Sequence, residues 1–104
     1  MSVSSSFALF MNEAPAQAAA WAQAAQALGA ASALDSKTQA LSYLAVLAAT
    51  GNTSGVPFHV LAARSLGATR QEVASAVLVG LPAAGAVVIA SLPAALAAYD
   101  GQPT

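Results

Sequence analysis

The chain reads as an all-α protein, and three observations carry this expectation. About 30 of its 104 residues are alanine, the strongest helix former. Apolar residues recur at steps of three and four, and no run alternates polar and apolar at period two. Residues that start and stop helices bracket these apolar runs. The pattern predicts about five or six helices in one domain spanning residues 1–104, a length that suits a single domain.

The N-terminal stretch, Met1-Ser2-Val3-Ser4-Ser5-Ser6-Phe7, holds no basic residue, and no long apolar core precedes Asn12 and Glu13. It does not read as a signal peptide. Residues 1–13 and 101–104 are expected to be poorly ordered. Ala14 to Leu28 forms a helix rich in alanine and glutamine, with Pro15 suited to its first turn and Gly29 as its terminator. Trp21, Ala25 and Leu28 share one face, and Gln17, Gln23 and Gln26 supply the wet side. Asp35 is an N-cap for the next helix. Leu41, Leu44, Ala45 and Ala48 mark its apolar face, widened by Tyr43, Val46 and Leu47, and Gly51 ends it. Pro57 lies near the start of a third helix through Val60, Leu61 and Ala63 to Leu66, stopped by Gly67. Thr69-Arg70-Gln71-Glu72 is a capping box: Thr69 accepts an early N–H while Glu72 reaches back. The helix it opens runs through Val73, Val77 and Leu81, with Gly85 or Pro93 bending or breaking the chain beyond Leu81. The Asp35 and His59 helices form the expected central antiparallel pair.

Composition bounds the partners. The chain is 58% hydrophobic and only 7% charged, against about 25% charged in ordinary soluble domains. Seven charged side chains are few for a monomer's surface, so apolar faces are expected to lie between subunits of a homo-oligomer. A net charge of −1 leaves no basic footprint for nucleic acid. No charge lies between Glu72 and Asp100, enough chain to cross a bilayer. That run holds Pro82, Pro93, Gly80 and Gly85, is mostly alanine and lacks a flanking Lys or Arg cluster. It reads better as two helices buried between subunits than as a membrane span, and cytoplasmic is the expected location. Without cysteine there is no disulfide, thiolate nucleophile or thiolate metal site. The lone His59 cannot build a zinc site. No Walker or Rossmann glycine loop is present. No cofactor is expected.

The chemistry-bearing candidate is Gly51-Asn52-Thr53-Ser54-Gly55-Val56-Pro57-Phe58-His59. His59 is the only side chain whose unperturbed pKa lies near neutrality. Backbone N–H groups around Thr53, Ser54 and Gly55 are candidates for an anion-binding nest at a helix start. Asn52, Ser54 and Gly55 are therefore the candidate ligand-binding residues, and His59 the candidate acid or base. Simpler readings stand beside these. His59 can be a packed or interface histidine, Asn52 and Ser54 plain helix caps, and Tyr43 and Trp21 core or interface aromatics. A cationic clamp for an acidic ligand can come only from Lys37, Arg64 or Arg70.

Leu34 to Asp100 resembles the carboxymuconolactone decarboxylase and alkylhydroperoxidase-D-like family. The matching pieces are Leu34-Asp35-Ser36-Lys37-Thr38, Leu44-Ala45-Val46-Leu47-Ala48-Ala49, the His59 helix and Leu66-Gly67-Ala68-Thr69-Arg70-Gln71-Glu72-Val73. The resemblance implies an AhpD-like helical bundle intertwined in a trimer or hexamer. Its redox members carry Cys-x-x-Cys-x-x-x-His with a glutamate on the preceding helix. Aligned by His59, those cysteines fall on Asn52 and Gly55 and the glutamate on Ala40. Thiol peroxidase chemistry needs one thiolate to attack and a second thiol to resolve the sulfenic acid, so it is not expected. The lactone decarboxylase members work without that pair. The resemblance therefore implies a small organic acid or lactone as ligand and lyase-like chemistry at His59. The second reading is a non-catalytic oligomeric or small-ligand-binding protein that kept the fold, and the third is a membrane-embedded helical protein.

Overall fold

The computed structural model describes residues 3–102. Its α-helices are α1 (Ser5–Glu13), α2 (Pro15–Ala31), α3 (Ser36–Ala49), α4 (Val56–Ser65), α5 (Arg70–Leu78), α6 (Leu81–Ala84) and α7 (Leu92–Tyr99). Two 3-10 segments, Thr53–Gly55 and Gly85–Ser91, join them, and no strand occurs among the described residues.

Side-chain caps set the helix starts. Asp35 Oδ1 accepts the Thr38 N–H at 2.7 Å, and hydrogen bonding from Thr38, side chain first and then backbone, holds the carboxyl below its ordinary pKa. The capping box forms in full: Glu72 N–H donates to Thr69 Oγ1 at 3.1 Å and Thr69 N–H to Glu72 Oε1 at 2.9 Å. Glu72 Oε1 also meets Lys37 Nζ at 2.9 Å, tying the start of α5 to the start of α3. Helix ends use the left-handed turn that glycine adopts most readily. Gly51 (φ +75°) ends α3, where Asn52 N–H donates to Leu47 O, and Gly67 (φ +95°) ends α4, where Ala68 N–H donates to Ala63 O.

Several boundaries differ from expectation. Residues 1–13, expected to be poorly ordered, include α1, whose first turn is capped by Ser4 Oγ accepting the Phe7 N–H. Gly29 does not stop α2, which continues to Ala31; one glycine costs a helix interior only about 1 kcal/mol. Helix α5 ends at Leu78 rather than passing through Leu81. Pro82 and Pro93 each sit in the first turn of a new helix, where a missing N–H is harmless, so the break falls at Gly80 and Gly85. At the C-terminus Gln102 N–H donates to Ala97 O at 2.8 Å; Pro103 and Thr104 lie outside the described residues.

Helices α3, α4, α7 and α5 pack in that cyclic order, each against the next. The expected α3–α4 contact is present, as one of the four helix contacts around this ring rather than its centre. The core is small-sided: Leu44, Val56, Val60, Val73, Val77 and Val88 are fully buried, with Ala48, Ala63 and Ala95 between them. Burying a Leu or Val side chain contributes about 1.5–3 kcal/mol. Trp21 and Tyr43, read from sequence as core or interface aromatics, are not in this core; both are exposed on the single chain. By length and composition Arg70–Tyr99 is apolar enough to cross a membrane. Within that stretch α5 packs against α7.

Candidate functional site

The turn after α3 is held from both sides. Thr50 Oγ1 donates back to Val46 O at 2.8 Å, and Asn52 Nδ2 donates to Thr50 Oγ1 at 2.9 Å. Thr53 Oγ1 lies 3.2 Å from the hydroxyl of Ser91, which is completely buried in the Gly85–Ser91 segment. This pair pins the 3-10 turn to a segment 38 residues away. In the sequence Thr53 stood out only for its backbone N–H, and Ser91 did not stand out as a site residue. Each is one hydroxyl among many, and only the fold brings them together.

His59 stands on the first turns of α4, half-buried. A helical side chain leans toward the N-terminus and over the residue four before it. For His59 that residue is Gly55, which has no side chain to occupy the space. The imidazole is tilted against Tyr43 of α3, with ring centroids 4.5 Å apart, and meets the edge of Phe58 at 5.1 Å. Burial pushes its pKa below the ordinary value, because removing water penalises the imidazolium. The ring is therefore neutral at pH 7. Among the described residues neither ring nitrogen has a hydrogen-bond partner, and neither is sealed from solvent.

The remaining candidates are arranged less favourably. Asn52 and Ser54 are exposed, and neither caps a helix. The capping expected of them is absent because Gly55 occupies the N-cap of α4 and Asn52 turns back to Thr50. The nest is partly consumed: Gly55 N–H donates to Asn52 O, Val56 N–H donates to Thr53 O, and Pro57 has none. A Cβ added at Gly55 would meet Leu47 at an ordinary 3.6 Å, so close packing does not demand glycine there.

Two of the three cations that could clamp a carboxylate are paired with carboxylates, and the third lies over an aromatic ring. Lys37 pairs with Glu72. Arg70 grips Asp100 through Nε and Nη2 at 2.9 and 3.0 Å, raising its own pKa and lowering that of the carboxyl. Arg64 lies 5.4 Å above the Tyr99 ring, whose hydroxyl donates to Ala68 O at 2.8 Å. No cluster of three metal-ligating side chains occurs among the described residues. Ala40 sits on α3 one turn before Tyr43 and packs against the core. Residues three apart share a helix face, so the face that reaches His59 carries an aromatic ring.

The carboxymuconolactone decarboxylase family model matches residues 15–99. The chain belongs to that family. No curated protein and no solved structure matches it. The match takes in all of the four-helix core and the His59 turn. This member has no cysteine, so the thiolate and resolving thiol of the family's redox chemistry have no source in it.

Proposed function

We propose that this cysteine-less family member binds a small lactone or organic acid against the Tyr43 and Phe58 rings, with His59 as the acid–base group. The observation that carries the reading is the state of His59: a half-buried, neutral imidazole whose nitrogens are left unbonded by the described residues. A neutral ring accepts a proton from carbon beside a carbonyl and returns it as imidazolium in a later step. With Lys37 and Arg70 paired to carboxylates and Arg64 lying over the Tyr99 ring, a neutral lactone suits the site better than a carboxylate. In this reading the exposed Asn52 and Ser54 of the preceding turn hydrogen-bond a carbonyl or ring oxygen of the ligand. The protein works as a homo-oligomer, a trimer or hexamer, in the cytoplasm.

The test is a turnover screen of lactones and β-keto acids with wild type, His59→Ala and His59→Gln. Loss of a proton-transfer group costs about 10²–10⁴-fold in rate. A reaction that both variants catalyse at full rate would remove His59 from the mechanism. A second reading, a non-catalytic ligand-binding protein, has its own support. Open apolar recesses lie between α3 and α5 and between α1 and α2, and His59 lines neither. Ligand-dependent shifts of the His59 ring signals without turnover would favour this second reading.

A further inference from the structure

Proton abstraction by His59 needs a second group. When a base takes a proton from the carbon beside a carbonyl, the C–H electron pair becomes a C=C bond and the carbonyl π pair moves onto oxygen. The base then holds the proton and the oxygen holds the negative charge. A donor already aimed at that oxygen is a large part of catalysis. One imidazole does not serve both atoms in the same step.

The turn before α4 offers few such donors. Gly55 N–H is spent on Asn52 O and Val56 N–H on Thr53 O, and Pro57 has none. Asn52 Nδ2 donates to Thr50 Oγ1. Lys37 and Arg70 are held by carboxylates.

Tyr43 is placed differently. Its ring lies against the imidazole, with centroids 4.5 Å apart and planes inclined by 58°, so one small ligand can meet both side chains. The two tyrosines of the chain use their hydroxyls in different ways. Tyr99 donates to Ala68 O at 2.8 Å. Tyr43 makes no such bond among the described residues and is 44% exposed. A helical side chain leans back over the preceding turn, which here carries Ala40, a methyl group with no acceptor for the phenol. The ring is positioned by its contact with His59 while the O–H stays available as a donor.

We infer that Tyr43 is a further catalytic residue: its hydroxyl donates a hydrogen bond to the lactone carbonyl oxygen while His59 takes the proton from the adjacent carbon. The role rests on His59 acting as the base. In the first step the neutral imidazole becomes imidazolium, and the phenol keeps its own proton while holding the enolate oxygen. In the return step the imidazolium delivers its proton to carbon, the carbonyl re-forms, and both side chains are restored. Protons and electrons balance within the ligand and the imidazole.

Tyr43→Phe removes the hydroxyl and keeps the ring against His59. Two probes read the result. The first is α-angelica lactone in deuterium oxide, whose hydrogen exchange beside the carbonyl is followed by proton NMR and requires no onward product. The second is tetronic acid, an ionised mimic of a lactone enolate at neutral pH, compared with neutral γ-butyrolactone by calorimetric titration. Tyr43→Phe should slow the catalysed exchange about 10²–10³-fold, the loss expected for one oxyanion donor. It should weaken tetronate binding about 10- to 100-fold, as for a hydrogen bond to a charged group. Binding of γ-butyrolactone and the midpoint of the His59 ring titration should not change. Full exchange and full tetronate affinity in Tyr43→Phe, with exchange lost in His59→Gln, would overturn the role of Tyr43 and leave His59 as the base. A loss in Tyr43→Phe together with a displaced His59 midpoint would make the tyrosine only a packing partner of the imidazole, and would overturn the donor role. Wild-type protein that neither accelerates exchange nor binds tetronate would overturn both.

Discussion

The Thr53–Ser91 hydroxyl pair is the anchor of the His59 turn, and its removal has a calculable asymmetry. Ser91 is completely buried, and Thr53 is its one hydrogen-bond partner among the described residues. Thr53→Val keeps the volume and the β-branch but leaves the Ser91 hydroxyl dry and unbonded. A buried polar group without a partner costs about 1–3 kcal/mol. The low end applies if Ser91 rotates to a carbonyl of the preceding turn. Ser91→Ala is different, because Thr53 is only partly buried and water can replace the lost partner. That variant should cost about 1 kcal/mol or less, the net worth of an ordinary hydrogen bond. The double variant should then cost less than the two singles combined, with a coupling of about 0.5–1.5 kcal/mol. Urea denaturation followed by circular dichroism reads these differences, provided the m-value is unchanged. In a thermal melt, about 2 kcal/mol corresponds to roughly 8–16 °C for a domain near this size. Costs that simply add within about 0.3–0.5 kcal/mol, or a Ser91→Ala variant worse than Thr53→Val, would refute the reasoning.

Two further outcomes are expected from other parts of the molecule. Thr69→Ala removes the acceptor of the Glu72 N–H and leaves the reciprocal bond without its partner half; it should cost about 0.5–2 kcal/mol, read by the same denaturation. His59 has a folded pKa below its unfolded one, so the unfolded chain binds more protons across the interval between them. Its contribution to stability is therefore complete above the unfolded value near 6.5 and is lost as pH falls through the folded value. His59→Gln should flatten that part of the stability–pH curve, and an NMR titration of the ring should give a midpoint below that of the denatured chain.

Much of the fold was legible because its punctuation is local. Asp35, Gly51, Gly67 and the Thr69–Glu72 box act on neighbours within a few residues, so the string of letters contains both partners. Helix α1 escaped notice because its signal is one serine among four, with Ser4 the one that caps. The break in the 70–99 run was legible at Gly85 but not at Gly80. Pro93 begins a helix there because the chain arrives from a 3-10 segment, which no local pattern announces. The site was less legible still. His59 could be singled out as the lone titratable ring, but Tyr43 read as part of an apolar stripe until α3 and α4 were packed together. The engagement of Lys37, Arg64 and Arg70 is likewise a product of packing. The partners of the two arginines, Tyr99 and Asp100, lie about 30 residues further along the chain.

A core of valine and alanine has an entropic consequence. Alanine has no rotamers to freeze and valine has a single stiff torsion, whereas long side chains forfeit up to about 2 kcal/mol each on burial. The four-helix unit therefore orders its interior with little loss of side-chain freedom. Its alanine positions can hardly lose volume but are easily overfilled. Substitution there is tolerated in one direction only: Ala48 or Ala63 enlarged to leucine would force the helices apart by more than any neighbouring torsion could absorb.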